Sequence, residues 1–227
     1  MKGCIIQARM GSKRLPGKVL MKIDEKTVLD YVIEQIKFCK SIEKIIIATT
    51  DKPEDKEIIN FAKSRNIDFF VGSENDVLDR YYQCAKYNEF DEIIRITSDN
   101  PLIDPIIVDN LTNLFSSSLF DYISNFYPPD KPTFPHGTNV EIFSMKSFKK
   151  VWDNSNDKYE REHVTPYYYN NPKLFKIYGL KNFENLSHYR FTVDTEKDLQ
   201  IIKIITSKIK KRPILMNDVI NLFKKKS

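Results

Sequence analysis

The sequence predicts an α/β fold in which helices cover both faces of a mostly parallel, doubly wound sheet. In the first half of the chain, short apolar segments alternate with longer segments that carry apolar residues at helical spacing. This alternation is typical of parallel strands joined by crossover helices. The segment at 44–50 (KIIIATT) is apolar and β-branched on both faces, as expected of a strand buried between two helical layers. A chain of 227 residues is long enough for one such domain with a complete hydrophobic core.

The bounds of the elements follow from apolar periodicity and from residues that start or end helices. Apolar residues at helical spacing between Val28 and Ile36 predict the first helix, and Pro53 and Pro105 suit first helical turns. We therefore predict strands at 3–8, 44–50, 68–71, 92–97 and 121–125, and helices at 27–40, from Pro53, at 76–88 and at 104–117.

The alternation ends at 127–137 (YPPDKPTFPHG), where proline and aromatic residues predict a loop. No internal repeat or flexible linker interrupts the chain, so residues 1–227 are predicted to form one domain, with 127–182 as an irregular ligand-binding subregion. Downstream we predict strands at 139–144, 175–178 and 189–193, a tyrosine-rich helix at 158–170, and helices from Thr195 and near Asn217.

Composition favours a soluble, cytoplasmic protein. The chain is 41% apolar and 30% charged, which is ordinary for a globular domain. It has no apolar run long enough to span a membrane, and the N-terminus lacks the pattern of a signal peptide because Arg9 follows only a few apolar residues. Three widely spaced cysteines, Cys4, Cys39 and Cys84, indicate neither disulfides nor a zinc site.

The net charge of +5 is compatible with a nucleic acid or with a small anionic substrate. No nucleic-acid-binding motif is present, so we expect no nucleic-acid partner. Part of the excess positive charge lies near the C-terminus, where cations at solvated helix ends explain it. The rest lies in a loop near the N-terminus. The C-terminal cations are Lys208, Lys210, Lys211, Arg212 and 224–226.

The N-terminal loop at 7–18 (QARMGSKRLPGK) directly follows the first predicted strand. Ligands of open α/β sheets bind beyond the carboxyl ends of the strands, and glycines with four cations there suit a phosphate cradle. The loop is not a P-loop, because five residues separate Gly11 from Gly17 and Val19 follows Lys18. A solvated basic loop is the alternative interpretation.

Two aspartates follow predicted strands. Asp99, in RITSDNP, lies just beyond a buried strand, where it could hold a Mg²⁺ ion that bridges phosphates or could simply form a turn before Pro101. Asp194 precedes Thr195 and Asp198, which resemble a capping box. It could therefore belong to a helix cap or supply a second metal ligand, and the spacing leaves both open.

Taken together, ARMGSKRLPGK, ITSDNPLIDP, PHGTNVEIF, EREHVTPYYYNNP and FTVDTEKDL resemble the SpsF-type cytidylyltransferase family, which is related to the CMP-sugar synthetases for sialic acids and for 3-deoxy-octulosonate. The resemblance is collinear over nearly the whole chain. It implies a Rossmann-like nucleotidyltransferase fold that binds CTP and Mg²⁺, with Asp99 and Asp194 holding the metal. It also favours a homodimer built from the C-terminal half.

The resemblance further implies a nucleotide site at the N-terminal loop and at the strand end before Asp99. Arg14 and Lys18 would act with Asp99 and Asp194 in catalysis, and Arg80 is a candidate for the nucleobase pocket. The implied nucleotide-binding residues are Gln7, Ala8, Arg9, Gly11, Ser12, Arg14, Lys18, Arg80, Thr97 and Ser98.

The acceptor segment departs from the family pattern. Where the family reads DGLDVEVF, this chain reads HGTNVEIF, so that His136 and Asn139 replace two acidic residues. The candidate acceptor-binding residues are His136, Asn139, Glu141 and His163. A less acidic site suits a small acidic or phosphorylated acceptor, and we hypothesise such a partner. Ser98 also replaces a common glycine before the metal aspartate.

The expected reaction is attack of an acceptor oxygen on the α-phosphorus of CTP with loss of pyrophosphate. No general base is evident, and an anionic acceptor would need none. The product would serve a capsule, spore coat or other glycan. The alternatives are a guanylyl- or uridylyltransferase of the same fold, a glycosyltransferase, which the missing DxD disfavours, and a nucleic-acid-binding module.

Overall fold

The computed structural model describes residues 1–224 of the chain. Lys225 and Lys226, the end of the basic C-terminal run, lie outside the described residues. The strands of the described part are β1 (Lys2–Gln7), β2 (Lys22–Ile23), β3 (Lys26–Thr27), β4 (Lys44–Thr50), β5 (Asp68–Gly72), β6 (Glu92–Thr97), β7 (Tyr122–Ser124), β8 (Glu141–Ser144) and β9 (Ile177–Gly179).

The helices alternate with these strands through the first half of the chain, as predicted. None of the helices within residues 1–224 is long and apolar enough to cross a membrane. They are α1 (Val28–Lys37), α2 (Lys56–Ser64), α3 (Val77–Tyr87), α4 (Pro105–Ser116), α5 (Met145–Asn154), α6 (Lys158–His163), α7 (Pro166–Asn170), α8 (Glu196–Lys208) and α9 (Met216–Lys224).

Seven strands form one sheet in the order β5-β4-β1-β6-β8-β7-β9, and β2 pairs with β3 separately. The pairs β1–β4, β1–β6, β4–β5 and β7–β9 are parallel, whereas β8 is antiparallel to both of its neighbours. The mostly parallel sheet is therefore confirmed, with β8 as the exception. Because β1 and β6 are parallel neighbours, the segments that follow Gln7 and Thr97 leave the sheet at the same edge.

Apolar side chains pack on both faces of this sheet, which confirms the doubly wound arrangement. Ile6 and Ile94 contribute to the cluster that includes residues of α1, α4 and α8, while Ile5 and Ile93 contribute to the cluster on the α3 and α5 side. All four are fully buried. Side chains that alternate between two apolar layers explain why these strands are apolar on both faces.

The structure corrects two predictions in the C-terminal half. Residues 189–193 do not form a strand, because their backbone bonds go to loops: Phe191 N–H donates to His136 O and Val193 N–H to Asp99 O. The predicted helix at 158–170 is two short helices, α6 and α7, separated at Val164, which has a φ of 75°. The following Pro166 starts α7, since it lacks an amide N–H to continue α6.

Gly137 lies where the loop at 127–137 crosses the backbone that leads to Asp194. Its φ is +97°, and a Cβ there would lie 2.7 Å from the carbonyl carbon of Phe191. We expect Gly137→Ala to lower the free energy of unfolding by about 3 kcal/mol, because it adds backbone strain and a backbone clash. Urea unfolding measures this change.

Gly11→Ala is the matched control for that substitution. The nearest atom to a Cβ at Gly11 is Glu74 Oε1 at 3.8 Å, so we expect a change within about 0.5 kcal/mol. Equal stability of the two variants would show that the crossing at Gly137 is not tight.

Candidate active site

The N-terminal loop is held in a fixed turn. Gly17, with a φ of 68°, donates its N–H to Met10 O at 2.9 Å, which closes the loop. The Met10 N–H donates to the buried carboxylate of Asp55 at 2.6 Å. Lys18 then starts a short 3-10 helix, Lys18–Leu20. These bonds direct the Lys18 side chain inward, where the residue is only 8% exposed.

Asp99 and Asp194, far apart in the sequence, meet at the ammonium group of Lys18. The Nζ atom lies 2.7 Å from Asp99 Oδ2 and 2.8 Å from Asp194 Oδ1. The backbone joins the same two segments, since the Val193 N–H donates to Asp99 O at 2.8 Å. Thr97 Oγ1 donates to the other Asp99 oxygen at 2.6 Å. The carboxylates therefore share one cation at the edge of the sheet.

The carboxylate of Asp194 is not part of the helix cap. Thr195 and Asp198 form the capping box of α8, as predicted. Asp194 instead pairs with Lys18, with Arg14 at 2.8 Å and with Arg190. Burial alone would raise the pKa of the Asp194 carboxyl, but the bond from Lys18 and the nearby arginines outweigh burial and lower it.

A first cavity of about 400 Å³ opens beside these groups. Its lining carries six cationic and three carboxylate side chains, so an anionic ligand suits it. Of the expected nucleotide-binding residues, all but Gly11 line it. The lining comprises Gln7, Ala8, Arg9, Ser12, Lys13, Arg14, Lys18, Val19, Val77, Arg80, Arg95, Thr97, Ser98, Asp99, Glu162, His163 and Asp194.

A second cavity of about 280 Å³ shares a wall with the first, formed by Arg95, Thr97, Asp99 and His163. Three of the candidate acceptor residues, Asn139, Glu141 and His163, line it. His136 lines neither cavity, and its ring packs against Phe126. The remaining lining is Asn100, Tyr122, Phe126, Tyr127, Pro129, Tyr159, Thr165, Tyr169 and Thr192.

Comparison with known proteins assigns the family. The family model described as cytidylyltransferase matches residues 3–219. The chain belongs to the cytidylyltransferase family. It is 33% identical to the spore coat polysaccharide biosynthesis protein SpsF of Bacillus subtilis over 215 residues, which cover 92% of this chain and 88% of that protein. It is also 42% identical to an uncharacterized protein of Methanocaldococcus jannaschii over 199 residues, 87% of this chain and 79% of that one.

Solved structures agree with this assignment. A cytidylyltransferase from Leptospira borgpetersenii superposes with a TM-score of 0.93 at 34% identity, over 99% of this chain and 94% of that one. The CMP:2-keto-3-deoxy-manno-octonic acid synthetase complexed with CTP has a TM-score of 0.66 over 91% of this chain and 98% of that one. At 16% identity it shows the shared nucleotidyltransferase fold alone.

The donor set of this cytidylyltransferase suits a divalent cation that completes its shell with substrate and water. No group of three or more His, Cys, Asp or Glu side chains within residues 1–224 could hold a metal alone. Asp99 and Asp194 nevertheless converge on one positive charge, the Lys18 ammonium. Mg²⁺ is usually bound by one or two carboxylates together with phosphates and water, so the two aspartates fit it.

Glu141 of the cytidylyltransferase is fully occupied by protein partners. It pairs with Arg95 and accepts hydrogen bonds from Tyr122 OH at 2.7 Å and from Thr165 Oγ1 at 2.6 Å. Arg95 also donates to Gln7 Oε1 at 3.1 Å. This network joins β1, β6 and β8 beneath both cavities, so Glu141 supports the wall of the second cavity.

Several residues of the site were not predicted from the sequence, among them Arg95, Asp55 and Arg190. Arg95 lines both cavities, Asp55 anchors the N-terminal loop, and Arg190 pairs with Asp194 and lies 3.7 Å from Asp198. Arg95 had a detectable signal, because a charged residue within an otherwise apolar buried strand requires a partner. Asp55 lies in a polar segment and Arg190 beside polar residues at 187–188, so neither carries a comparable signal.

Arg80, the candidate for the nucleobase pocket, is almost fully buried in the wall of the first cavity. It donates to Ser73 O at 2.6 Å, and burial lowers the pKa of its guanidinium.

A larger hollow, of about 470 Å³, lies between α1 and Arg65 on the surface. It is a wide groove that neither Asp99 nor Asp194 lines, so we assign the chemistry to the two cavities that share Asp99.

Proposed function

We propose that this cytidylyltransferase transfers CMP from CTP to a sugar acid or a small phosphorylated acceptor and releases pyrophosphate. The observation that carries the proposal is the junction of a cationic cavity with a second cavity at Asp99, beside Lys18 and Asp194. A triphosphate in the first cavity and an acceptor in the second would meet at that junction. The acceptor oxygen would bond to the α-phosphorus as the α–β phosphoanhydride bond breaks.

The cations of the first cavity would stabilise the departing pyrophosphate. Lys18 pairs with both aspartates and Arg14 with Asp194, and Arg9 and Lys13 line the same cavity. Fixed cations of this kind stabilise developing negative charge without reorganisation in the transition state. Mg²⁺, held by Asp99 and Asp194, would supply further neutralisation of the phosphates.

The acceptor residues proposed from the sequence now divide into three groups. Asn139 and His163 line the second cavity and can touch an acceptor. Glu141 lines it as well but is occupied by Arg95, Tyr122 and Thr165. His136 lines neither cavity, and its ring lies beside Phe126. Its role in acceptor binding stays a prediction.

The biological setting of the reaction is also a proposal. The relative SpsF is named as a spore coat polysaccharide biosynthesis protein, so the activated sugar of this chain would be a precursor of a surface glycan. We propose a cytoplasmic enzyme that acts as a homodimer, with the C-terminal half forming the interface.

The proposal is tested by ³¹P NMR of CTP, Mg²⁺ and candidate acceptors with the enzyme. We expect pyrophosphate to appear together with a new CMP ester, and no pyrophosphate without acceptor. Hydrolysis of CTP to CMP without an ester would contradict the transfer reaction.

A further inference from the structure

The second cavity offers little unpaired charge to an occupant. Arg95 and Glu141, which contribute opposite charges to its wall, pair with each other, and Asp99 pairs with Lys18. Glu141 also accepts two hydroxyl hydrogen bonds. Apart from His163, every charged group in the described lining therefore has a counter-charge. A charged ligand group would have to compete here with a carboxylate or an ammonium group that is already paired.

Three uncharged polar side chains of the same lining have a buried atom that lacks a hydrogen-bond partner. Asn100 Oδ1, Asn139 Oδ1 and Thr192 Oγ1 are each shielded from water and form no hydrogen bond within residues 1–224, and the same holds for the Nε atom of the charged Arg95. A buried polar atom without a partner costs about 1–3 kcal/mol, and three in one cavity are unusual. Rotation about the last side-chain bond exchanges the oxygen and nitrogen of an amide, so each asparagine can present either to a ligand.

Most of the remaining lining is aromatic. Tyr122, Phe126, Tyr127, Tyr159 and Tyr169 surround the cavity. Ligand sites that combine an apolar wall with a few placed polar groups bind molecules with both kinds of surface. A sugar has them, because its C–H groups pack on aromatic rings and its hydroxyls both donate and accept hydrogen bonds.

We infer that the second cavity binds the uncharged, polyhydroxylated portion of a sugar acceptor, that Asn100, Asn139 and Thr192 determine its specificity, and that any acidic group of the acceptor lies outside this cavity. The inference rests on the proposed function, in which this cavity receives the acceptor. It refines that proposal, because the acceptor is recognised here by its hydroxyl groups. The cationic lining of the first cavity is the place that favours an acidic group.

The test measures direct binding of two probes by saturation-transfer NMR. The probes are 2-keto-3-deoxy-manno-octonic acid, which has an acidic end and a hydroxylated chain, and the neutral polyol mannitol. For the acid, we expect the strongest saturation on the protons of hydroxyl-bearing carbons, and weaker saturation on the methylene beside the keto acid. Thr192→Val keeps the side-chain shape and removes the hydroxyl, and we expect it to weaken binding about tenfold.

Thr192→Ser is the matched control, because it retains the hydroxyl and should retain affinity. Asn139→Leu provides an independent variant, with the same expected loss. Affinity for CTP should be unchanged in all three variants, so that loss of sugar binding is separated from loss of fold. CTP binding and pyrophosphate release report on the proposed function independently of this test.

Three results would overturn the inference. One is unchanged sugar binding in both Thr192→Val and Asn139→Leu. Another is binding of the acid that weakens steeply with added salt and saturates chiefly the methylene beside the keto acid, which indicates recognition by charge. The third is the absence of binding of both probes to the wild-type protein while CTP still binds.

Discussion

Lys18→Met is expected to lower kcat about a hundredfold, which corresponds to loss of about 3 kcal/mol of transition-state stabilisation. The Lys18 ammonium is the one described cation within 3 Å of both Asp99 and Asp194, and it also faces the first cavity. Its loss removes positive charge from the place where the leaving pyrophosphate would develop negative charge. Steady-state pyrophosphate release measures the effect.

The same substitution should change metal binding in the absence of nucleotide. Lys18 occupies the space between the two aspartates, so its charge opposes a divalent cation there. We expect Lys18→Met to bind Mn²⁺ at least about tenfold more tightly than wild type, as measured by electron paramagnetic resonance without CTP. Lys22→Met, at an exposed residue of β2, is the control and should change neither property. Wild-type kcat in Lys18→Met would remove Lys18 from the mechanism.

Asp194→Asn is expected to reduce turnover by at least about a thousandfold while the protein remains folded. The amide removes the negative charge that pairs with Lys18, Arg14 and Arg190. It also removes one of the two carboxylates that fit Mg²⁺. Glu196→Gln, which is exposed in the first turn of α8, is the matched control and should keep full activity. Turnover near the wild-type rate in Asp194→Asn would exclude Asp194 from the metal site.

The contribution of Asp194 to stability should depend on pH in a defined direction. The folded-state pKa of its carboxyl is lowered below 3.8, because the bonds and charges of Lys18, Arg14 and Arg190 outweigh burial. The stabilisation is therefore complete above the unfolded-state pKa of about 4 and is lost as the pH falls through the lower folded value. The difference in unfolding free energy between wild type and Asp194→Asn should be constant near neutral pH and shrink below about pH 4. A constant difference across that acid range would contradict the assigned pairing.

The first half of the fold was predictable because its signals are local. Strands β1, β4 and β6 are apolar runs, and α1 has one apolar face and a capping box at Thr27. Helix α5 was missed, although Ser144 caps it, because Phe148 and Val151 are its only buried apolar residues among lysines and polar residues. The prediction of a strand at 189–193 was wrong, because the backbone amides of Phe191 and Val193 donate hydrogen bonds to loop residues rather than to a neighbouring strand.

The site was only partly predictable because its geometry depends on tertiary structure. The family resemblance led us to propose Asp99, Asp194 and Lys18 as site residues, but spacing alone could not show that they meet. The pair of Arg95 and Glu141 follows from the antiparallel register of β6 and β8, which places these residues opposite each other. That register was not evident from either segment alone.

The most direct test of the central claim is Mg²⁺-dependent pyrophosphate release by the folded wild-type protein. CTP, UTP, GTP and ATP are each combined with a panel of sugar acids, sugar phosphates and small phosphorylated metabolites, with Asp194→Asn as the blank. We expect release with CTP and at least one acceptor, at a rate far above that of the other triphosphates and of the blank. If CTP does not bind to the protein and no triphosphate releases pyrophosphate, the proposed transfer of CMP is contradicted.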